Sequence, residues 1–181
     1  MPIIEFNLKA DETLNFCGSQ LTLRQSQVLA KIVEGKRNAQ IAEEIGVGES
    51  VVYDHMHRLI GRTGLSGRYE LAAKSAREHL DYISVHGADH DALSFDALYR
   101  ELNCKQQDVL DYLIEGKSYK TIGSELGETE KTVTNCVNSI NNVFGMDRLH
   151  TIVLMNWLNA RDFKNYQSDQ GKRSVFENDL S

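Results

Sequence analysis

The chain has 181 residues, enough for one ordinary domain or two small ones, and its hydrophobic fraction of 41% excludes wholesale disorder. A net charge of −6 argues against nucleic-acid binding through overall charge, because Lys and Arg side chains that neutralise phosphates supply most non-specific affinity for DNA. No apolar run approaches the roughly 20 residues that span a bilayer, and the N-terminus lacks a signal-peptide pattern. The cysteines are odd in number and scattered, so we expect a cytoplasmic protein with reduced thiols and no membrane partner.

The first residues, PIIEFNLKA, alternate enough in hydropathy to predict a short strand or an arm, and we assign residues 1–20 to this arm. The only proline of the sequence is Pro2, so long helices can follow without interruption. Strand patterns are scarce beyond the arm. The predicted fold class is therefore all-α.

An internal repeat dominates the rest of the sequence. The segment that begins at Leu21 aligns without a gap with the segment that begins at Leu102. The repeat predicts two tandem four-helix domains, at residues 21–80 and 99–163. The identities fall mostly where helix caps and core contacts are expected: Gln25/Gln106, Val28/Val109, Leu29/Leu110, Glu34/Glu115, Gly35/Gly116, Lys36/Lys117, Ile41/Ile122, Glu44/Glu125, Gly46/Gly127, Glu49/Glu130, Val52/Val133 and Gly64/Gly145.

Each copy predicts the same succession of helices. The first helix starts at a capping-box pattern and ends at a glycine, which takes the left-handed conformation without strain. A short second helix leads to a third helix that buries residues spaced by three and four positions and turns a polar face outward. Two such helices joined by a Gly-containing turn are the pattern of a helix-turn-helix. The caps are Thr22 with Gln25 and Asn103 with Gln106, and the inward residues of the third helices are Val52, Met56, Leu59, Val133, Val137 and Ile140.

The fourth helix of the second copy carries more apolar residues than one face of a small domain can bury. Ile152, Met155 and Trp157 are the candidates for a contact beyond their own domain, since exposed apolar patches usually mark such contacts. Two alternatives stay open. The helix packs on the first copy, which gives a monomeric pseudo-dimer, or it pairs with another protein, including a second copy of the chain.

Residues 81–98 are predicted to be a linker. They contain His86, Asp89, His90 and Asp91, which are residue types that bind metals. No second cluster is present in the sequence to close a site, so a solvated connector is favoured, and no metal or other cofactor is expected.

The segment at residues 164–181 is polar and without periodicity, so we expect a disordered tail, in which Val175 and Phe176 are able to dock on a partner.

Both copies resemble the LuxR-type (GerE-like) helix-turn-helix domain of quorum-sensing regulators and many response regulators. The first copy matches in LTLRQSQVL, EGKRNAQIAEEIGV, VVYDHMHRL, with His55 in the usual His position, and GLSGRYELA. The second is a more distant match in CKQQDVLDYLIEGKSYKTIGSELG, KTVTNCVNSI and GMDRLHTIV. The resemblance implies a four-helix domain whose third helix enters the major groove and whose fourth commonly forms the dimer contact.

The departures from this family lie on the third helix. The family usually has a Lys immediately after a Thr-Val pair, and this place holds Tyr53 and Thr134. The family His is replaced by Cys136 in the second copy, and a later basic residue is kept as Arg62 but becomes Val143. Neither a receiver nor an autoinducer-binding domain fits in the remaining residues, so the resemblance implies a regulator without the usual sensory half.

The candidate DNA contacts lie on the outward faces of the third helices and at the starts of the second helices. Arg is the natural partner of guanine and Asn of adenine in the major groove, whereas helix N-termini attract phosphates. The alternative for each is an ordinary solvated face, and Glu128 and Glu130 oppose phosphate binding in the second copy. The candidates are Lys36, Arg37, Asn38, Ser50, Tyr53, Asp54, His57, Arg58 and Arg62 in the first copy, and Lys117, Lys131, Thr132, Thr134, Asn135 and Asn138 in the second.

The leading hypothesis is a transcription regulator that reads duplex DNA through the third helix of one or both domains, with half-sites spaced by roughly 34 Å if both engage. The competing hypothesis is an antagonist or co-activator that pairs with another LuxR-type regulator or RNA polymerase through its fourth helices, which the acidic balance and the missing Lys favour. An enzyme is not expected, because the sequence has no Gly-rich phosphate loop, nucleophile elbow or metal-spaced set.

Overall fold

The computed structural model of the protein describes residues 3–86 and 94–178, with side chains as far as residue 164. This part of the chain is mostly helical, as the sequence predicts, and none of its helices is long and apolar enough to cross a membrane. In order, its elements are β1 (Ile3–Phe6), β2 (Asn15–Phe16), β3 (Ser19–Gln20), α1 (Leu23–Val33), α2 (Asn38–Ile45), α3 (Glu49–Thr63), α4 (Arg68–Glu78), a 3-10 turn (Leu80–Tyr82), β4 (Ile83–His86), α5 (Phe95–Arg100), α6 (Cys104–Ile114), α7 (Tyr119–Leu126), α8 (Glu130–Phe144) and α9 (Arg148–Asn178).

The N-terminal arm and the start of the predicted linker form a small sheet. Strands β1 and β4 pair antiparallel, with Phe6 opposite Ile83 and Ile4 opposite Val85. All four of these side chains are buried, so the pairing covers apolar surface and ties β4 to the first helical unit. The predicted linker thus begins with the 3-10 turn and β4 and ends within α5, and Asp89, His90 and Asp91 lie outside the described residues.

The helices of the second half repeat those of the first in length and order. Helices α1, α2 and α3 have 11, 8 and 15 residues, and α6, α7 and α8 have the same lengths and start at the equivalent positions of the repeat. The fourth helices, α4 and α9, are shifted by one position from this register, because the loop before α9 is shorter than the loop before α4. We refer to α1–α4 as the first unit and to α6–α9 as the second unit.

Local signals set the ends of these helices. The capping boxes predicted at Thr22 and Asn103 are both formed. Helices α2 and α3 end at glycines with positive φ, and so do α7 and α8, which satisfies the last carbonyl groups without strain on a Cβ atom. These four glycines are Gly46, Gly64, Gly127 and Gly145.

The hydrophobic core runs through both units without a break. In each unit the first helix packs on the third and fourth helices, and the predicted inward residues of α3 and α8 are buried except Met56, which is half-buried. The most extensive contact between described elements joins α4 to α9. The two units therefore share one core, built around their fourth helices.

Helix α9 continues to Asn178, beyond the end of the second unit. The sequence predicts disorder from residue 164, whereas the backbone stays helical over residues 164–178, where no proline interrupts it. The side chains of Val175 and Phe176 lie outside the described part of the chain.

Candidate nucleic-acid interface

The packing of the two units on each other determines where the two third helices lie. The contacts at two glycines, Gly35 and Gly116, show how the units pack. A Cβ atom on Gly35, at the end of α1, would lie 2.3 Å from Cε1 of His150 in α9. A Cβ atom on Gly116, at the end of α6, would lie 2.5 Å from the backbone nitrogen of Glu70 in α4. Each unit thus places the end of its first helix against the start of the other unit's fourth helix.

These contacts are reciprocal. Gly35 and Gly116 occupy the same position of the repeat, and Glu70 and His150 are both the third residue of a fourth helix. In a two-fold symmetric dimer, a contact between two different positions occurs twice, once in each direction across the interface. The two glycine contacts follow this pattern. The chain therefore contains a pseudo-two-fold arrangement about the contact of α4 with α9.

An arginine begins each fourth helix, and one of the two, Arg148, joins the units. The guanidinium of Arg148 lies 3.8 Å from the ring centroid of Tyr69 in the first unit and 4.2 Å from that of Tyr119 in the second. It also donates to the backbone carbonyl of Lys117. A cation between two aromatic faces is favourable, and here it joins the two units.

Arg68 occupies the equivalent place in the first unit. Its guanidinium donates to the carbonyl of Lys36, the counterpart of Lys117, and to Oδ1 of Asn38 at 2.7 Å. Burial lowers the pKa of Arg68, although the group stays charged at any physiological pH. The sequence alignment missed this equivalence, because an alignment without gaps places Arg148 opposite Gly67. A search that allowed a gap in the loop before the fourth helix would have found it.

The outward face of α3 consists of five side chains that were predicted to contact DNA. All five are exposed, with Tyr53 at 53%, and none forms a hydrogen bond or an ion pair with another described residue. The face is therefore available for a ligand. It holds one cation and one carboxylate, so it attracts phosphate only weakly. Its residues are Ser50, Tyr53, Asp54, His57 and Arg58.

His55, in the position that the LuxR-type family usually fills with His, is half-buried in α3. Burial, with Arg58 nearby, lowers the pKa of its imidazole, and Nδ1 is buried without a hydrogen-bond partner among the described residues. A pKa below the ordinary His value of about 6.5 leaves the ring neutral at neutral pH. His55 thus adds no charge to the outward face of α3.

Three of the predicted contacts in the first unit are engaged within the protein. Arg62 donates to Oε1 of Gln25 in the capping box of α1, at 3.0 Å, and so fixes the end of α3. Lys36 forms an ion pair with Glu44 at 2.9 Å, and the amide oxygen of Asn38 accepts from Arg68. These side chains have structural partners, whereas Arg37 is exposed at the start of α2.

The outward face of α8 includes Lys131, Asn135 and Asn138. These side chains are exposed and form no hydrogen bond or ion pair with another described residue. The neighbouring hydroxyl groups are engaged, since Thr132 shares a hydrogen bond with Thr129 and Thr134 donates to the carbonyl of Glu130. The predicted contact at the start of α7 is engaged as well, because the ammonium nitrogen of Lys117 lies 3.7 Å from the carboxylate of Glu115.

The three residues predicted to bind a partner lie in α9, the helix that packs against α4 of the first unit. Ile152 and Met155 are fully buried, and Trp157 is half-buried, with the guanidinium of Arg161 5.0 Å from its ring centroid. Among the described apolar side chains of α9, those as far as Leu158 are buried or half-buried, whereas Phe163 is 61% exposed.

Residues 19–75 match the family described as bacterial regulatory proteins, luxR family (GerE). No curated protein and no solved structure matches the chain. The matched residues cover less than a third of the sequence and span α1, α2, α3 and most of α4. This segment is therefore similar in sequence to a LuxR-type helix-turn-helix domain, and its helices are those that such a domain requires.

Proposed function

We propose that the protein is a transcription regulator in which two LuxR-type helix-turn-helix units are fused into an intramolecular pseudo-dimer that contacts duplex DNA through α3 and α8. The observation that carries the proposal is the reciprocal packing of α4 and α9. In this packing the apolar side chains of α9 as far as Leu158 are buried or half-buried, and the outward faces of α3 and α8 are exposed. Exposed polar faces on paired third helices are the geometry of helix-turn-helix dimers on DNA.

We include the second unit in the proposed DNA contact because its helices repeat those of the first unit. Its first three helices have the lengths of those in the first unit, and its capping box at Asn103 and its glycine helix ends at Gly127 and Gly145 are in the same places. Arg148 repeats the carbonyl contact that Arg68 makes. The same frame supports a second helix-turn-helix, although the amino acids on its surface have diverged.

Because the outward faces of α3 and α8 carry few positive charges, we expect an affinity for DNA that depends only weakly on salt. Arg58 and Lys131 are the cations on the outward faces of α3 and α8, and Arg37 stands at the start of α2. A protein that neutralises two or three phosphates has a shallow dependence of affinity on salt, with a slope of roughly −2 to −3 in a log–log plot. Selectivity then depends on contacts to the base edges more than on phosphates.

The competing hypothesis, capture of another regulator through the fourth helices, requires α4 and α9 to separate. Separation would break the stacking of Arg148 on Tyr69 and open the most extensive contact between described elements, that of α4 with α9. The packing of α4 on α9 counts against a partner at this site.

Fluorescence anisotropy with a pool of duplex fragments, at low salt, tests DNA binding directly. We expect selective binding by a monomer, with the mass of the complex measured by analytical ultracentrifugation. A triple variant, Arg58→Ala with Asn135→Ala and Asn138→Ala, should lose selectivity, whereas Arg100→Ala, an exposed change on α5, should keep it. Absence of selective binding at low salt would reject the proposed function.

A further inference from the structure

We infer that the DNA site of this protein is not palindromic, and that α3 and α8 read two different half-sites, a G·C-containing one through Arg58 and an A·T-containing one through Asn135 and Asn138. This inference rests on the proposed function, because it specifies which duplex the two outward faces select.

The asymmetry follows from the divergence of equivalent positions. A homodimer presents the same helix twice, so its operator mirrors the two-fold symmetry of the protein. Here the frame is pseudo-symmetric, but no position of the outward face of α3 is repeated in α8. The equivalent pairs are Ser50/Lys131, Tyr53/Thr134, Asp54/Asn135, His57/Asn138 and Arg58/Ser139.

On α3, the free side chains suit a G·C pair. Arg58 is exposed and has no hydrogen-bond or ion-pair partner among the described residues, so its guanidinium is available to donate to O6 and N7 of guanine. Asp54, one turn earlier on the same face, is able to accept from N4 of cytosine. Arg62 donates to Gln25, which leaves Arg58 as the arginine of this helix without a hydrogen-bond or ion-pair partner among the described residues.

On α8, the free side chains suit an A·T pair. Asn135 and Asn138 stand three positions apart, so they lie on one face, and each amide is able to bond N6 and N7 of adenine. The counterpart of Arg58 is Ser139, whose hydroxyl accepts from Nε2 of Gln106 at 2.9 Å. The guanine-reading group of α3 is thus replaced in α8 by a side chain that is engaged within the second unit.

Because the two units pack against each other, the two unlike half-sites belong to one DNA site. Because the end of α1 packs against His150, the end of α6 packs against Glu70 and Arg148 stacks on Tyr69, both faces are presented in a single relative arrangement. The two half-sites must therefore occur in one order and at one spacing, and the protein has only one productive orientation on its site.

In vitro selection from a randomised duplex pool, with the full chain, tests the inference. We expect an enriched site with two unlike blocks and no dyad symmetry. Arg58→Ala should remove the guanine preference in one block only, and Asn135→Ala with Asn138→Ala the adenine preference in the other only. Each change should weaken binding to the selected site by about 5- to 150-fold. Arg100→Ala and Asn159→Ala, both exposed and outside α3 and α8, are the matched controls, and circular dichroism verifies the fold of every variant.

The outcomes distinguish failure of this inference from failure of the proposed function. A palindromic selected site, or one block that responds to both sets of variants, overturns the inference and leaves DNA binding intact. Failure to enrich any sequence overturns both. Two blocks with separate responses support the inference.

Discussion

The first and second units have the same backbone plan and different surfaces. Helix lengths, capping boxes and terminal glycines coincide, whereas the outward face of α3 contains Arg58 and Asp54 and that of α8 contains Asn135 and Asn138. The difference teaches that the shared arrangement of helices is fixed by a few caps, glycines and buried residues. The outward faces contribute no hydrogen bond or ion pair of Arg58, Asp54, Asn135 or Asn138 to the described structure, so they are free to change.

The units differ also in the contacts of the arginine that begins the fourth helix. In the first unit, Arg68 bonds groups of its own unit, Lys36 and Asn38. In the second, Arg148 stacks on Tyr69 of the other unit as well as on Tyr119 of its own. The helices of the two units are therefore equivalent in length and order, whereas the contacts of Arg68 and Arg148 are only partly equivalent. Four experiments compare the two units further.

The largest effect is expected from a methyl group at the contact between the units. Gly116→Ala should lower the free energy of unfolding by about 3 kcal/mol or more, since it combines a positive φ with a Cβ atom placed against the backbone of Glu70. Gly127→Ala is the matched control, because its φ is also positive but no atom lies within 4 Å of the new Cβ. It should cost about 1 to 2 kcal/mol. Urea denaturation measures both values.

Gly35→Ala should cost less than Gly116→Ala, because the new Cβ atom meets the His150 side chain, which can move more easily than a backbone. Equal costs for Gly116→Ala and Gly127→Ala would show that the units do not pack as described.

The next effect comes from the stacked arginine. Arg148→Ala should destabilise the chain by about 2 kcal/mol, because it removes two cation–π contacts and a hydrogen bond. The exposed Arg100→Ala should change stability by less than about 0.5 kcal/mol. A double-mutant cycle with Tyr69→Leu isolates the part that joins the units. A coupling energy of zero in that cycle would contradict the contact.

A smaller effect, on DNA affinity, compares the two outward faces directly. Tyr53→Lys and Thr134→Lys place a cation where the LuxR-type family usually has one. Each should steepen the log–log salt slope by about 0.9 and raise affinity by roughly 1 kcal/mol at moderate salt, if its helix contacts the backbone of DNA. Asn159→Lys adds the same charge at an exposed place on α9 and controls for net charge. A response to only one of the two changes would restrict DNA contact to that unit.

The smallest effect concerns the ion pair of Glu44. A hydrogen bond from Lys36, with a further one from Lys31, lowers the pKa of Glu44 despite partial burial, which acts in the opposite direction. A lowered carboxyl pKa stabilises the fold above the pKa of the unfolded state, and this contribution is lost as pH falls through the folded-state value. Glu44→Gln should therefore cost less than about 1 kcal/mol at pH 7 and nothing near pH 3. A cost that persists at pH 3 would assign the role of Glu44 to packing.

Local sequence signals predicted most of the frame. Thr22, Asn103 and the glycines at the helix ends act on their own few residues, so their effect is readable without tertiary structure. The exposure of Arg58, Asn135 and Asn138 also followed from helical periodicity.

The long-range contacts were not predictable in the same way. The alternation at the N-terminus predicted a short strand or an arm where β1 lies, but neither β4 nor its pairing with β1 was predicted, because the two segments lie on opposite sides of the first unit in sequence. The bonds of Arg62 with Gln25 and of Asn38 with Arg68 removed two candidates from the list of free DNA contacts, because spacing along the chain does not reveal a partner in another helix.

The sequence by itself determined the repeat, the helices and the two polar faces, since each depends on residues within one or two turns of one another. Tertiary structure alone decided what the fourth helices do. Their apolar residues suit a partner protein or the other unit equally well in sequence, and only the structure shows α4 packed on α9, with Gly35 against His150 and Gly116 against Glu70. Hydrophobic burial is non-directional, so composition indicates that a surface will be covered, and the shape of the fold selects what covers it.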